Sequence, residues 1–232
     1  MLILGIETAT VHASVAVVED GVEISAWRAE TKQDLLRKLA FEAQSALARA
    51  GRRFVDVGLI AVGLGPGSFT SVRVGVGTAK GFALARQTPL VGVSSLEAMA
   101  WRLRSQVSGL VCPVMDAKRG EVYTALYRVR DGTTEPVEKE SVDTADNLMT
   151  RITALGEPVK IVGDAEQLSP QDVARFGEAM WPEPVWPEAA AIAEMGLRRF
   201  SATGGDEIAP LRPIYVRMSY AEESRKLDLG LR

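Results

Sequence analysis

Apolar positions near the amino terminus come in three runs, LILGIETA, ASVAVVE and VEISAWRAE, and the break between the last two is Asp20-Gly21. An Asp-Gly pair between β-forming runs favours a two-residue hairpin, so this stretch predicts a three-stranded meander. In residues 32–50, Leu35, Leu36, Leu39, Ala43, Ala46 and Leu47 recur at helical spacing, and Gly51 ends the helix. LIAVGL (59–64) reads as a buried strand, 70–86 as a helix, LVGVS as a strand and LEAMAWRLR as a helix. Strands alternating with helices need crossovers, and therefore a partly parallel sheet.

The same order then begins again. LVCPVMD is an apolar strand ending in an acid, EVYTALYRV is the next strand, and Asp131-Gly132 is a second hairpin signal before a strand near 136–142. Glu7 and Asp116, like Gly21 and Gly132, are separated by nearly equal lengths of chain. The offsets predict a duplicated α/β protein with a first lobe over 1–105 and a smaller second lobe over 106–232, against the alternative of two similar patterns met by chance. ADNLMTRITAL and PEAAAIAEMGLRRFSA read as helices, KIVGD as a strand and MWPEPVWP as a loop; APLRPIYVR closes the chain as an extended, proline-restricted segment.

The run GLGPGSFTSVRVGVG (63–77) resembles a nucleotide loop in composition only. A Walker loop needs Gly-Lys-Ser/Thr at its end, but Gly67 is followed by Ser68 and Phe69, and Lys80 lies well inside the next helix. A dinucleotide fingerprint fails as well, because Gly75, Gly77 and Gly81 have the wrong spacing and sit within the helix. What remains is a Gly65-Pro66-Gly67 turn and a helix opening near Ser68 or Thr70. Such a turn either contacts an anion, with Gly65, Gly67, Ser68 and Thr70 as the nucleotide-contacting candidates, or is structural.

The helix that follows is apolar or small nearly all round, with Arg73, Lys80 and Arg86 as its charges. A helix of that kind is buried on more than one side. Interior glycines cost about 1 kcal/mol each against alanine, so something must offset Gly75, Gly77 and Gly81. Gly77, Gly81 and Ala85 form a smooth ridge and Val72, Val76, Ala79 and Ala83 a neighbouring stripe. One packs on the sheet; the other is free for a second helix of the same chain or of another subunit.

Composition narrows the chemistry. The chain has 232 residues, 47% of them hydrophobic, and 27 Lys and Arg against 30 Asp and Glu, so unaided tight binding of a long nucleic acid is not expected. Arg49, Arg52 and Arg53 read as a solvated helix end rather than a phosphate patch. Cys112 is the single cysteine, placed in LVCPV as a buried inert thiol, and disulfide or cysteine-metal frameworks are excluded. His12 is the single histidine and reads as a solvent-facing turn residue; no His-pair metal motif exists. Glu7 and Asp116 could approach a shared cleft and hold Mg²⁺ through waters, as an autonomous phosphotransferase would need, yet no obvious base completes such a site. MLILGIETAT carries Glu7 and no basic start, so neither a signal peptide nor a membrane span is expected, and the cytoplasm is the expected location.

Five stretches together carry a family resemblance: Ile6-Glu7-Thr8-Ala9-Thr10, Gly65-Pro66-Gly67-Ser68-Phe69-Thr70 with Arg73 and Gly75, Val91-Gly92-Val93-Ser94-Ser95-Leu96, Met115-Asp116-Ala117-Lys118-Arg119-Gly120-Glu121-Val122-Tyr123, and Pro213-Ile214-Tyr215-Val216-Arg217. They resemble the bacterial TsaB (YeaZ) family over essentially the whole chain. The resemblance implies an actin/Hsp70/sugar-kinase-like fold and a part in making threonylcarbamoyladenosine at position 37 of tRNAs that read codons starting with A. It implies a non-catalytic partner of the catalytic paralogue TsaD, joined by the ATPase TsaE, with tRNA reached only through the complex. No catalytic residue, metal or cofactor of its own is implied; ATP and Mg²⁺ belong at a complex interface.

In the family, first-lobe helices form the homodimer and TsaD surface. The matching residues are Val72, Val76, Gly77, Ala79 and Gly81, with Leu35, Leu36 and Leu39 as companions. The chain departs from the family pattern at Ser71, where glycine is usual, at Glu7, where aspartate is usual, and at Thr31 and Arg37, near the places of a flanking His and Pro. Glu7 weakens any kinase-like metal site, and the helix changes bear on partner contacts.

Overall fold

The computed structural model describes residues 1–30 and 34–216; the Thr31 departure and Arg217 lie outside the described residues. The chain order is β1 (Leu2–Glu7), β2 (His12–Glu19), β3 (Val22–Glu30), α1 (Leu35–Arg49), β4 (Leu59–Gly63), α2 (Phe69–Arg86), β5 (Leu90–Val93) and α3 (Ser95–Arg102). It continues through β6 (Gly109–Lys118), β7 (Glu121–Arg130), β8 (Thr133–Asp143), α4 (Ala145–Thr153), β9 (Val159–Val162), α5 (Pro170–Phe176) and α6 (Ala189–Thr203).

Both Asp-Gly signals make the expected hairpins. Asp20 and Gly21 have φ of 51° and 84°, and Asp131 and Gly132 have 51° and 69°; two consecutive positive φ values give the turn whose twist matches that of the flanking strands. The first sheet has the order β3-β2-β1-β4-β5 and the second β8-β7-β6-β9. In each, an antiparallel meander is extended by a strand parallel to its first member, β4 beside β1 and β9 beside β6. This repeated βββαβ arrangement is the duplication, and it is the actin/Hsp70/sugar-kinase-like fold, the second lobe being the smaller.

Every residue of β1 is buried, because the first sheet is covered on both faces. On one side Leu4, Ile6 and Val62 pack with Leu39, Leu47, Val76 and Ala79 of α1 and α2. On the other, Ile3, Leu59 and Ala61 pack with Ile192, Ala193 and Met195 of α6. The approach is close: a Cβ on Gly5 would lie 2.1 Å from the carbonyl oxygen of Ala189.

The expected division at 105/106 therefore needs correction. α6 belongs to the second half of the chain but completes the first lobe, since a central strand apolar on both faces requires a second cover. The closing segment does likewise. Ile208, Leu211 and Ile214 join the first core, Asp206 N donates to Leu90 O at 2.8 Å, and Lys80 Nζ donates to Ala209 O at 3.1 Å. Arg73 lies over the Phe69 ring at 3.5 Å and donates to Tyr215 Oη at 2.8 Å. Two of the three α2 cations thus hold the chain's own tail.

Among the described residues no helix is long and apolar enough to cross a membrane.

Candidate functional site

The two lobes face each other across a cleft of about 550 Å³. Its first-lobe wall is the β1–β2 turn (Ala9 to His12) and the start of α2 (Gly67 to Ser71); its second-lobe wall includes Val114 to Lys118, Tyr123, Asp164, Leu168 and Trp186.

The first-lobe wall is wired from beneath by Glu7. This carboxyl is fully buried; Ala9 N donates to its Oε1 at 2.6 Å, and Ser95 Oγ donates to its Oε2 at 2.7 Å. Ser95 Oγ in turn accepts from Gly65 N at 3.2 Å, so β1 fixes the glycine turn through α3. A Cβ at Gly63 would lie 2.0 Å from Glu7 Oε2, and one at Gly67 would lie 2.2 Å from Ala9 O. These glycines are required by close packing. Gly75 has the same origin, with a Cβ there 2.3 Å from Thr8 Oγ1, while Thr8 Oγ1 donates to Ser71 O at 2.8 Å.

The four nucleotide-contacting candidates separate. Gly67 and Ser68 line the cleft, Gly65 is buried beneath it, and Thr70 is exposed in the first turn of α2. Ser68 occupies the cap position of α2, yet its side chain caps no amide; its hydroxyl meets that of Ser71 at 3.0 Å.

Glu7 and Asp116 are not brought together as a metal site. Glu7 is turned inward to backbone and Ser95, whereas Asp116 stands in the cleft wall bound to Lys118. Among the described residues no three His, Cys, Asp or Glu side chains group as metal ligands. The Glu7 and Asp116 carboxyls therefore do not converge on a shared ion. Tyr123 is a neutral phenol in the same wall, burial first and Asp116 second holding it above its ordinary range. Cys112 is buried beside Thr124, and burial pushes its thiol up to about 11, so it is inert at neutral pH.

Burial is the largest influence on Glu7 and raises its carboxyl above the ordinary 4.5, against hydrogen bonds from Ala9, Ser95 and Thr8 that lower it. The folded state then binds a proton more readily than the unfolded state. The resulting stability is fully present below 4.5 and is lost as pH rises through the raised folded value. Glu7→Gln should therefore flatten the decline of the melting temperature as pH rises above 4.5. Thermal denaturation over that range checks this, and parallel curves for the two proteins would exclude Glu7 as the source.

His12 is not the solvent-facing turn residue expected from sequence. It opens β2, stacks on Trp186 with ring centroids 4.3 Å apart, and places Nε2 2.9 Å from Asp164 Oδ2. No local sequence signal pairs residues so far apart. The arginine cluster disperses as expected of a solvated helix end: Arg52 pairs with Glu19 at 2.7 Å, Arg53 with Asp56 at 3.7 Å, and Arg49 donates to Ala26 O at 3.2 Å.

The second candidate surface is the outer face of α1 and α2, which lie side by side on the first sheet. Of the eight residues expected there, Leu35, Leu39, Val72, Val76 and Ala79 are buried in the first core. They share the helical spacing of an interface stripe but face the sheet. Leu36, Gly77 and Gly81 do reach the surface. Leu36 is 73% exposed, Phe41 65% and Leu84 66%; sequence reasoning passed over the last two. A Cβ at Gly77 or Gly81 would meet nothing within 4 Å. Packing within the chain, which explains Gly75, leaves these two unexplained.

A family model described as TsaD, tRNA N6-adenosine threonylcarbamoyltransferase, matches residues 29–184. The chain is 32% identical to the tRNA threonylcarbamoyladenosine biosynthesis protein TsaB of Escherichia coli strain K12, over 95% of this chain and 96% of that one. It is 28% identical to the TsaB of Bacillus subtilis strain 168, over 96% of each. Among solved structures it is similar to an uncharacterised Pseudomonas aeruginosa protein described as similar to peptidase YeaZ, with a TM-score of 0.79, 25% identity, and coverage of 93% of this chain and 99% of that one.

Proposed function

Because the chain belongs to the TsaB (YeaZ) family, and so takes part in tRNA threonylcarbamoyladenosine biosynthesis, we propose that it serves there as a non-catalytic scaffold that binds and supports the catalytic paralogue TsaD. The binding surface is the outer face of α1 and α2, with TsaE joining the assembly and tRNA meeting the chain only through it. A homodimer uses the same face when TsaD is absent. ATP and Mg²⁺, where they act, sit at a subunit interface.

The observation that carries this reading is the open glycine pair. Two glycines inside a helix, facing neither a neighbour nor a turn, cost stability without any return inside the chain. A smooth ridge on α2, with Leu84 exposed on the same helix and Leu36 and Phe41 exposed on the neighbouring α1, suits close approach by another helix, and apolar side chains of this kind supply the buried centre of an interface. The inward position of Glu7 supports the non-catalytic part, since the acid that a phosphotransferase would aim into the cleft instead fixes the Gly65 turn.

Sedimentation of the chain alone and mixed with its cognate TsaD, with and without ATP and Mg²⁺, tests the proposal. The expected result is a defined heteromer formed at the expense of a homodimer. Leu84→Asp, on the exposed face, should weaken that heteromer by roughly a hundredfold while leaving the circular dichroism unchanged. A chain indifferent to TsaD, or a heteromer untouched by Leu84→Asp, would place the function or the surface elsewhere.

A further inference from the structure

Of the contacts that join the lobes, two differ in kind. The first is apolar: Leu96, Met99 and Ala100 of α3 share a core with Val111, Ala125 and Tyr127 of the second lobe. The second crosses the cleft and is small and polar. His12 reaches from the start of β2 to Asp164, in the loop after β9, with Nε2 to Oδ2 at 2.9 Å. Trp186, in the loop that leads into α6, covers the imidazole with the two planes 24° apart.

Each member is held in place by its own surroundings. His12 N donates to Thr10 Oγ1 at 3.1 Å, Glu166 N donates to Asp164 Oδ1 at 3.0 Å, and Arg102 donates to the Trp186 carbonyl at 2.7 Å. The His12 and Asp164 side chains retain only 16% and 10% of their exposure, so water and salt do little to screen the contact, unlike an ion pair on the surface. All three residues line the cleft.

We propose that His12, Asp164 and Trp186 form a clasp that holds the two lobes closed over the cleft, with the α3 core as the hinge, so that access to the cleft follows release of the clasp. A shielded hydrogen bond to a charged group biases a two-state equilibrium by roughly ten- to a hundredfold. That bias is strong enough to keep the lobes together and weak enough to be reversed by a ligand or a partner. The α3 core, by contrast, is mainly apolar packing, with the Tyr127 hydroxyl turned to Ser94 Oγ at 3.5 Å inside it. The clasp stands independently of the TsaD reading, since none of its residues lies on α1 or α2.

Hydrogen exchange of the intact chain tests it, comparing the parent with His12→Ala and His12→Gln. The clasp requires His12→Ala to speed exchange about tenfold or more in both 8–12 and 164–168, with β4 and β9 unchanged, and to enlarge the radius of gyration in small-angle scattering. Gln keeps an amide donor within reach of Asp164 and should restore most of the protection. If His12→Ala does not fold, Asp164→Asn is expected to give the same two-sided pattern with smaller amplitude. Acceleration confined to 8–12, or no change in either segment, would overturn the proposal and leave the α3 core alone as the joint.

Discussion

Gly77→Ala and Gly81→Ala each stabilise the monomeric chain, by about 1 kcal/mol per substitution, and each weakens association with a partner roughly tenfold or more. The two effects have opposite signs because they have different origins. In the isolated chain a methyl at either position meets nothing within 4 Å, both residues lie inside α2, and alanine simply removes the conformational freedom that glycine loses on folding. Across an interface the same methyl holds two backbones apart. Urea unfolding at a dilution where the chain is monomeric gives the first quantity, and sedimentation with TsaD gives the second. Stabilisation without any loss of association would exclude the ridge as the contact. Gly75→Ala serves as the internal control: it should destabilise, because its methyl runs into Thr8.

A larger loss, about 3 kcal/mol, is expected for Gly5→Ala. The obstacle is the backbone oxygen of Ala189, 2.1 Å from the added carbon, and backbone cannot rotate away as a side chain can. Nor is α6 free to retreat, since Ala189 N donates to Ser14 Oγ of β2 at 3.0 Å, and Gly196 brings the next turns equally close to Ala61. The change is read as a drop in the urea midpoint. A shift worth less than about 1 kcal/mol would mean that α6 does not sit on β1 as described. At Gly92, by contrast, the nearest atoms belong to the side chain of Leu64, so Gly92→Ala should cost less.

The two hairpins and the meanders were legible in the chain because Asp-Gly turns are local chemistry, and both turns adopt the positive φ values that their residues favour. Helix α1 was legible because its apolar stripe has one period. Its start was not: Asp34, at a left-handed φ of 68°, precedes the helix at Leu35, and residues 32 and 33 lie outside the described residues. Helix α5 was passed over although Ser169 and Asp172, three residues apart around Pro170, form a start signal; Ser169 indeed accepts from Asp172 N. The host sheet of α6 could not be read, because periodicity shows that a helix has an apolar face and not which strands will cover it.

The mixture of core and surface residues in the expected interface has a related cause. Spacing divides α2 into the Gly77 and Gly81 ridge and the Val72, Val76 and Ala79 stripe without saying which packs on the sheet, the family resemblance assigns residues of both to the interface, and the sheet buries the second. The cleft was the least legible feature. Its walls come from segments far apart in the chain, and the His12 to Asp164 contact depends on how the two lobes meet.

The placement of α6 also bears on how the chain becomes a protein as it leaves the ribosome. β1 emerges before the second lobe, but Ile3 and its neighbours on that face stay uncovered until Ile192 and Met195 have been made. The second lobe, translated in between, can close its own core of Leu110, Val122, Leu148 and Ile161 while the first is still half open. The lobe whose strands are made first is thus the one that finishes folding last, its closing step waits on a contact between segments far apart in the chain, and a nascent chain stalled before residue 189 would expose apolar sheet surface of the kind that chaperones bind.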